Sequence, residues 1–277
     1  MTATVPAGLL TLARETALAA AGLARRRRDE GVSVAATKSS AEDIVTPADR
    51  ETEALIRGLL AEARPNDGFY GEESEATAGS SGLTWVVDPI DGTVNYLYGI
   101  PAYAVSIAVV EGDPDPATWT ALAGAVVNPA TGEAFTALAG AGAYLADRRL
   151  QANTGVPLAL ALLGTGFSYS ASRRVDEATI VRALIGRVRD IRRMGSAALD
   201  LCGVAAGRLD LYYERGLNPW DHAAGALIAR EAGARVGGLG GDPEGRGPLI
   251  AGAPDVYDAF EPLLAEIFAG RPAEADD

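Results

Sequence analysis

The chain has 277 residues, 48% of them hydrophobic, a formal net charge of −13 and a single cysteine, Cys202. That length and apolar share support one large domain or two fused halves with a real core. The charge disfavours nucleic-acid backbones and anionic membrane surfaces as partners, no apolar run approaches the roughly 20 residues of a membrane span, and a lone cysteine fits a reducing cytoplasm without internal disulfides.

Residues 7–30 read as an amphipathic helix, with Leu9, Leu12, Ala13, Thr16, Ala19, Ala20 and Leu23 at helical spacing. Its apolar stretch precedes the Arg25–Arg28 cluster, the reverse of a secretory signal. Residues 31–49 are loop-like, and Pro47, suited to a first helical position, opens a second helix through Leu55, Ile56, Leu59 and Leu60. A short strand leads from Phe69 into Gly71-Glu72-Glu73, and Trp85–Val87 forms a buried strand that ends at Asp88. Residues 102–112 and 118–150 supply further strands joined by Asn-Pro and Thr-Gly turns. Two helices against an antiparallel sheet result, an α+β half over 1–150. From Leu158 strands and helices alternate, with helices over 176–188, 197–206, 219–233 and 255–268. That pattern predicts an α/β half over 151–270 with a mostly parallel sheet. The polar residues 271–277 read as a disordered tail.

Four segments carry chemistry. In Asp88-Pro89-Ile90-Asp91-Gly92-Thr93, Pro89 fixes φ and biases Asp88 toward extended backbone, so Asp91 falls across a tight turn. Two carboxylates and the Ile90 carbonyl can then share one hard-oxygen pocket suited to Mg²⁺. Gly92-Thr93 can open a helix whose free amides hold a phosphate; a helix-capping Asp turn is the bland alternative. Gly71-Glu72-Glu73 follows a strand, and Asn218-Pro219-Trp220-Asp221 puts Asp221 in the first turn of a helix. Lys38, the only lysine among 24 basic residues, sits in "TKSS", with Asp49 beyond it. His222 is the only histidine, so a His-based zinc site is out of reach, and no G-x-S-x-G elbow is present. It reads as an incidental neighbour of Asp221.

Together, "GEES" (71–74), "WVVDPIDGTVNY" (85–96) and "NPWDHAAGALIAREAGARV" (218–236) resemble the inositol monophosphatase family, with support from "TKSSAEDIVTPAD" (37–49), "GTGF" (164–167) and "GSAALDLCGVAAGRLDLYYE" (195–214). The likeness runs from about residue 10 to 265. It implies a layered αβαβα sandwich of the inositol monophosphatase and fructose-1,6-bisphosphatase type. It also implies a lithium-sensitive phosphatase that uses roughly two or three Mg²⁺ ions for in-line displacement by an activated water.

On that resemblance Glu72, Asp88 and the Ile90 carbonyl hold the first ion, and Asp88, Asp91 and Asp221 the second. Glu72 also touches a third, loosely held ion. Glu72 and Thr93, the latter bonded to Asp49, position the water, while the Gly92 and Thr93 amides hold phosphate oxygens. Asp91, Gly195, Ser196, Ala197 and Glu214 contact the hydroxyls of a small phosphorylated polyol, and Lys38 rides a mobile loop over the metals. The active site lies between the halves. A cytoplasmic homodimer is expected, with neither nucleic acid nor membrane as partner. His222 stands where other members carry an apolar residue.

Inositol 1-phosphate is the substrate the resemblance favours. Histidinol phosphate, fructose 1,6-bisphosphate and a 3′-phosphoadenosine nucleotide are alternatives for the same chemistry, and a bisphosphate is disfavoured by the lack of a basic patch near the motifs. A non-catalytic regulatory protein on the same fold, joined to nucleic-acid machinery, is the reading of another class.

Overall fold

Burial explains where the first helix forms. α1 (Thr4–Glu30) brings Leu9, Ala13, Ala17, Ala20 and Ala24 to one buried face at three- and four-residue steps. α2 (Pro47–Ala63) begins at its first-position proline and buries Ile56 and Leu60 beside α1. The computed structural model of the chain describes residues 4–34, 36–37 and 44–270. Lys38 and the tail 271–277 lie outside the described residues.

Two short strands, β1 (Ala36–Thr37) and β2 (Ile44–Val45), pair antiparallel. A seven-stranded sheet then follows in sequence order: β3 (Gly68–Gly71), β4 (Leu83–Asp91), β5 (Ala104–Glu111), β6 (Thr120–Val127), β7 (Ala134–Leu138), β8 (Gly142–Leu145) and β9 (Arg148–Arg149). Its ladders are antiparallel except β3 with β4. Alternation is clear in the packing. Trp85, Val87, Val105, Ile107 and Val109 face α1 and α2, while Val86, Ala104, Ala108 and Val110 face the other way. Because both faces are covered, these strands read in the sequence as unbroken apolar runs.

A short helix, α3 (Thr93–Tyr98), follows β4 directly. The second sheet is built from β10 (Leu162–Thr165), β11 (Asp190–Arg192), β12 (Leu211–Glu214), β13 (Arg235–Gly237) and β14 (Leu249–Gly252), in the order β11-β10-β12-β14-β13. Its helices are α4 (Ala171–Leu184), α5 (Ala197–Ala205), α6 (Pro219–Glu231) and α7 (Pro254–Ala269). α5 and α6 lie between the two sheets, α1 and α2 cover the first sheet, and α4 and α7 cover the second. The result is the layered αβαβα sandwich. α6 is buried on both faces, through Ala223, Ala224, Ala226, Leu227, Ile228 and Ala229. Small residues make that possible: a side chain at Gly124 of β6 would come within 3.1 Å of the Ala224 Cα.

Two expectations need correcting. The second sheet is mixed rather than mostly parallel: β10 pairs parallel with β11 and β12, whereas β14 pairs antiparallel with β12 and β13. The short link from β13 to β14 holds no helix long enough for a parallel crossover. Nor does the strand end at Asp88. β4 runs on to Asp91, slipping register between Asp88↔Ser106 and Asp91↔Ala104. A bulge accommodates Pro89, which has no N–H to give to the ladder.

Candidate active site

The end of β4 decides the site. At the bulge the Asp88 Oδ1 accepts the Ile90 N–H at 3.0 Å, which folds that carboxylate back over Pro89. Asp91 resumes pairing, and Gly92, at φ 94°, turns the chain into α3. A Cβ at Gly92 would sit 2.9 Å from the carbonyl oxygens of both Ala102 and Gly195, so close approach as well as the positive φ demands glycine.

One cavity of about 210 Å³ opens here. Glu72 enters from the end of β3, Asp88, Ile90 and Asp91 from β4, and Gly92 and Thr93 from the start of α3. Arg193, Gly195, Ser196 and Ala197 arrive from the approach to α5, Glu214 from β12 and Asp221 from α6. Asp49 stands behind Thr93: the Thr93 hydroxyl is 3.1 Å from Asp49 Oδ1 and 3.1 Å from the Ile90 carbonyl. Asp49 Oδ2 also accepts the N–H of Thr46, the N-cap of α2, at 2.8 Å, as the third-position partner of a capping box.

Hydrogen bonds fix the carboxylates. Asp91 Oδ2 accepts the Ser196 hydroxyl at 2.6 Å and the Ala198 N–H at 2.7 Å. The Ser196 hydroxyl is thus directed at Asp91. Asp221 Oδ2 accepts the Asn218 N–H at 2.6 Å, and Glu214 Oε2 accepts the Tyr212 hydroxyl at 2.6 Å.

The electrostatics are strained. Burial, then the negative charges of Glu72, Asp91 and Asp221, holds the Asp88 carboxyl well above its ordinary range. Burial and then Glu72 do the same to Asp221. Burial raises Asp91 to about 6 against the bonds from Ser196 and Ala198, and Asp49 likewise to about 6. Burial pushes Glu214 up to about 7, with Tyr212 and Arg193 pulling the other way.

That donor set fits divalent cations in kind: four carboxylates and a backbone carbonyl are hard oxygens, and their proton affinities show that negative charge there lacks compensation. Among the described residues, no three acidic, His or Cys side chains are gathered into a ready-made cage. The cavity these groups share, and the way Glu72, Asp91 and Asp221 raise Asp88, point to what the set can bind.

Some contributors are silent in the sequence. Glu53 of α2, 2% exposed, accepts the Glu73 N–H at 2.8 Å and the Ser74 hydroxyl, tying down the loop that carries Glu72. Its place four residues after Asp49 on one helix face is the only local signal. Arg193 and Arg215 both line the cavity, so the expected lack of basic residues near the motifs is overturned. Arg215 forms a 3.4 Å ion pair with Asp176. The chain reaches these positions through β11 and β12, which only the tertiary fold brings beside Asp91.

Gly166, in the "GTGF" segment, lies against the Glu214 carboxylate so closely that a Cβ would overlap it. Gly166→Ala is therefore expected to displace Glu214 and raise KM about tenfold or more with a smaller change in kcat, measured by steady-state phosphate release.

The sequence profile of the inositol monophosphatase family matches residues 7–268. The "Inositol-1-monophosphatase SuhB" of Mycobacterium tuberculosis is 47% identical over 274 residues, covering 91% of this chain and 92% of its own. A "Nus factor SuhB" of Pasteurella multocida is 39% identical, covering 87% and 90%. Among solved structures, the extragenic suppressor protein suhB of Bartonella henselae superposes with a TM-score of 0.85 at 36% identity, covering 93% of this chain and 98% of that one.

Proposed function

The chain belongs to the inositol monophosphatase family, and we propose that it is a Mg²⁺-dependent phosphomonoesterase acting on inositol 1-phosphate. The observation that carries this reading is the convergence of Glu72, Asp88, Asp91 and Asp221, from three separate elements, on one cavity that also receives Gly92 and Thr93. The cavity would lie between an N-terminal half, 1–150, and a C-terminal half, 151–270.

In this reading Glu72, Asp88 and the Ile90 carbonyl hold one ion, and Asp88, Asp91 and Asp221 a second, with Glu72 also touching a third. Bound there, the ions would supply Lewis-acid activation and neutralise charge during in-line displacement at phosphorus. The remaining work falls to the chain. Glu72 and the Thr93 hydroxyl orient the attacking water; Thr93 takes the water's proton as it passes its own to Asp49, 3.1 Å away. The Gly92 and Thr93 amides bind phosphate oxygens. Asp91, Gly195, Ser196, Ala197 and Glu214 line the side where the polyol hydroxyls lie, with Ser196 acting through Asp91. Lys38 on its loop, a homodimer and a cytoplasmic setting belong to the same proposal. So does lithium sensitivity.

The deciding experiment compares kcat/KM for inositol 1-phosphate, histidinol phosphate, fructose 1,6-bisphosphate and a 3′-phosphoadenosine nucleotide. Inositol 1-phosphate is expected to lead by at least about tenfold. If a bisphosphate leads instead, the substrate assignment fails while the chemistry stands, and Arg193→Ala should then lower the bisphosphate selectively.

One observation favours a second reading, a regulatory protein on the same fold: a relative at 39% identity bears the name Nus factor. A stoichiometric partner recovered by pull-down, together with no phosphatase activity, would establish that reading over the first.

A further inference from the structure

Asp49, Glu53 and Arg57 follow one another along α2 at four-residue steps, so all three share one helix face. Asp49 serves Thr93. The other two reach the loop over residues 71–77, which leaves β3 and returns to pair Thr77 with Phe69. Glu72, which lines the cavity, stands at the start of that loop.

The Glu72 N–H donates to the Val87 carbonyl at 3.2 Å and so keeps the residue beside β4. Beyond it the chain leaves the sheet, and side chains of α2 take over. Glu53, 2% exposed, lies against Gly71, where a Cβ would overlap its carboxylate. One of its oxygens accepts the Glu73 N–H at 2.8 Å, and the other accepts the Ser74 hydroxyl. That hydroxyl accepts in turn from Arg57 Nη2 at 2.7 Å. The same nitrogen donates to the Glu75 carbonyl at 2.8 Å, while the Arg57 guanidinium lies over the Phe69 ring, 4.1 Å from its centroid. Ser74 therefore closes a bridge between two side chains one helical turn apart, donating to the carboxylate and accepting from the guanidinium.

Burying a carboxylate is unfavourable unless its oxygens are bonded, and here both are spent on residues 73 and 74. What they gain is a fixed backbone next to Glu72. That residue faces the negative charges of Asp88 and Asp221, and like charges favour its withdrawal from the cavity. A backbone held on both sides of Glu72 opposes withdrawal, so the ordering is complete before any ion binds. We propose that Glu53, Ser74 and Arg57 are positioning residues for the metal-binding end of the cavity, holding the loop over 71–77 so that Glu72 is in place for a divalent cation and the affinity for that cation is raised. The inference rests on the reading of the cavity as a Mg²⁺ site.

The full chain is titrated with Mn²⁺, an oxygen-seeking ion whose free form gives an electron paramagnetic resonance signal that binding removes. Ser74→Ala is expected to weaken Mn²⁺ binding about tenfold. Ser74 is exposed, so Ser74→Thr, which keeps the hydroxyl and adds only a methyl group, should stay within about threefold of the wild-type chain. Glu53→Gln should act as Ser74→Ala does, and the two combined should lose less than the product of their separate effects, because both break one bridge. In saturating Mg²⁺ the KM for inositol 1-phosphate should move less than about threefold in Ser74→Ala, a split that a general loosening of the fold would not give. Thermal transitions in chelator, recorded for each variant, separate loss of metal from loss of fold. Undiminished Mn²⁺ binding in Ser74→Ala, or a loss in Ser74→Thr as large as in Ser74→Ala, would overturn the inference while wild-type binding leaves the Mg²⁺-site reading standing. A wild-type chain that takes up no Mn²⁺ would overturn both.

Discussion

Asp91→Asn is expected to lower phosphate release from inositol 1-phosphate by at least about a thousandfold while leaving the fold in place. The geometry gives the reason. One carboxylate oxygen of Asp91 is fixed by two donors, the Ser196 hydroxyl and the Ala198 N–H. An asparagine would present its carbonyl oxygen to those donors and turn its NH₂ toward the cavity. The hydrogen bonds that hold the segment before α5 against β4 would survive. What faces the cavity would change from an anionic acceptor to a donor, which repels a cation. Since burial already raises Asp91 to about 6, removing its charge relieves a desolvation penalty in the metal-free chain. The thermal transition should stay or rise, and circular dichroism with calorimetry checks that half of the prediction. A variant that is inactive because it is unfolded would count against it.

In chelator, the chain should lose stability as pH rises from about 4 to about 7, the reverse of ordinary acid denaturation. Free aspartate ionises near 3.8, but Asp49 and Asp91 do so near 6 in the fold, and Glu214 moves from 4.5 to about 7. Asp88 and Asp221 are also held well above their ordinary range, by burial and by Glu72. Across this window the folded chain keeps protons that the unfolded chain has already released, so rising pH favours unfolding. A shift of two pKa units corresponds to about 3 kcal/mol, and coupled groups do not add in full. His222 acts in the opposite sense: burial lowers it from 6.5 to about 4. Its protonation in the unfolded chain therefore removes stability as pH falls from 6.5 toward 4. One imidazole is outweighed by several carboxylates. Mg²⁺ should reverse the trend, raising the midpoint by several degrees at pH 7.5 and far less at pH 5. Scanning calorimetry in chelator and in Mg²⁺ at both pH values tests this; a midpoint that rises with pH in chelator and ignores Mg²⁺ would contradict it.

Much of the site was legible because its residues sit in contiguous motifs. Asp88, Ile90, Asp91, Gly92 and Thr93 fall within six positions, and local rules about proline and glycine place them at a strand end and a helix start. The helices were legible by burial period, α1 above all. Other features were hidden for physical reasons. The bulge that carries β4 past Pro89 depends on its pairing with β5, which no local pattern encodes. β13 is three residues long and paired only on one side. The direction of β14 is set by the link from β13 and by β12, so strand–helix alternation overstated the parallel pairing. Glu53 reads as an ordinary helix-surface glutamate until the loop at Glu73 folds onto it. His222 looked incidental because its burial, with neither ring nitrogen bonded among the described residues, exists only once α6 is packed between the sheets.

The most direct test of the central claim, that the carboxylate-lined cavity is a divalent-metal phosphomonoesterase site, is release of inorganic phosphate from inositol 1-phosphate in Mg²⁺ and again in chelator. Turnover in Mg²⁺ that chelator abolishes and restored Mg²⁺ recovers is the predicted result. A purified, folded chain that releases no phosphate from this or any other phosphomonoester in Mg²⁺, or that releases it equally in chelator, would contradict the claim.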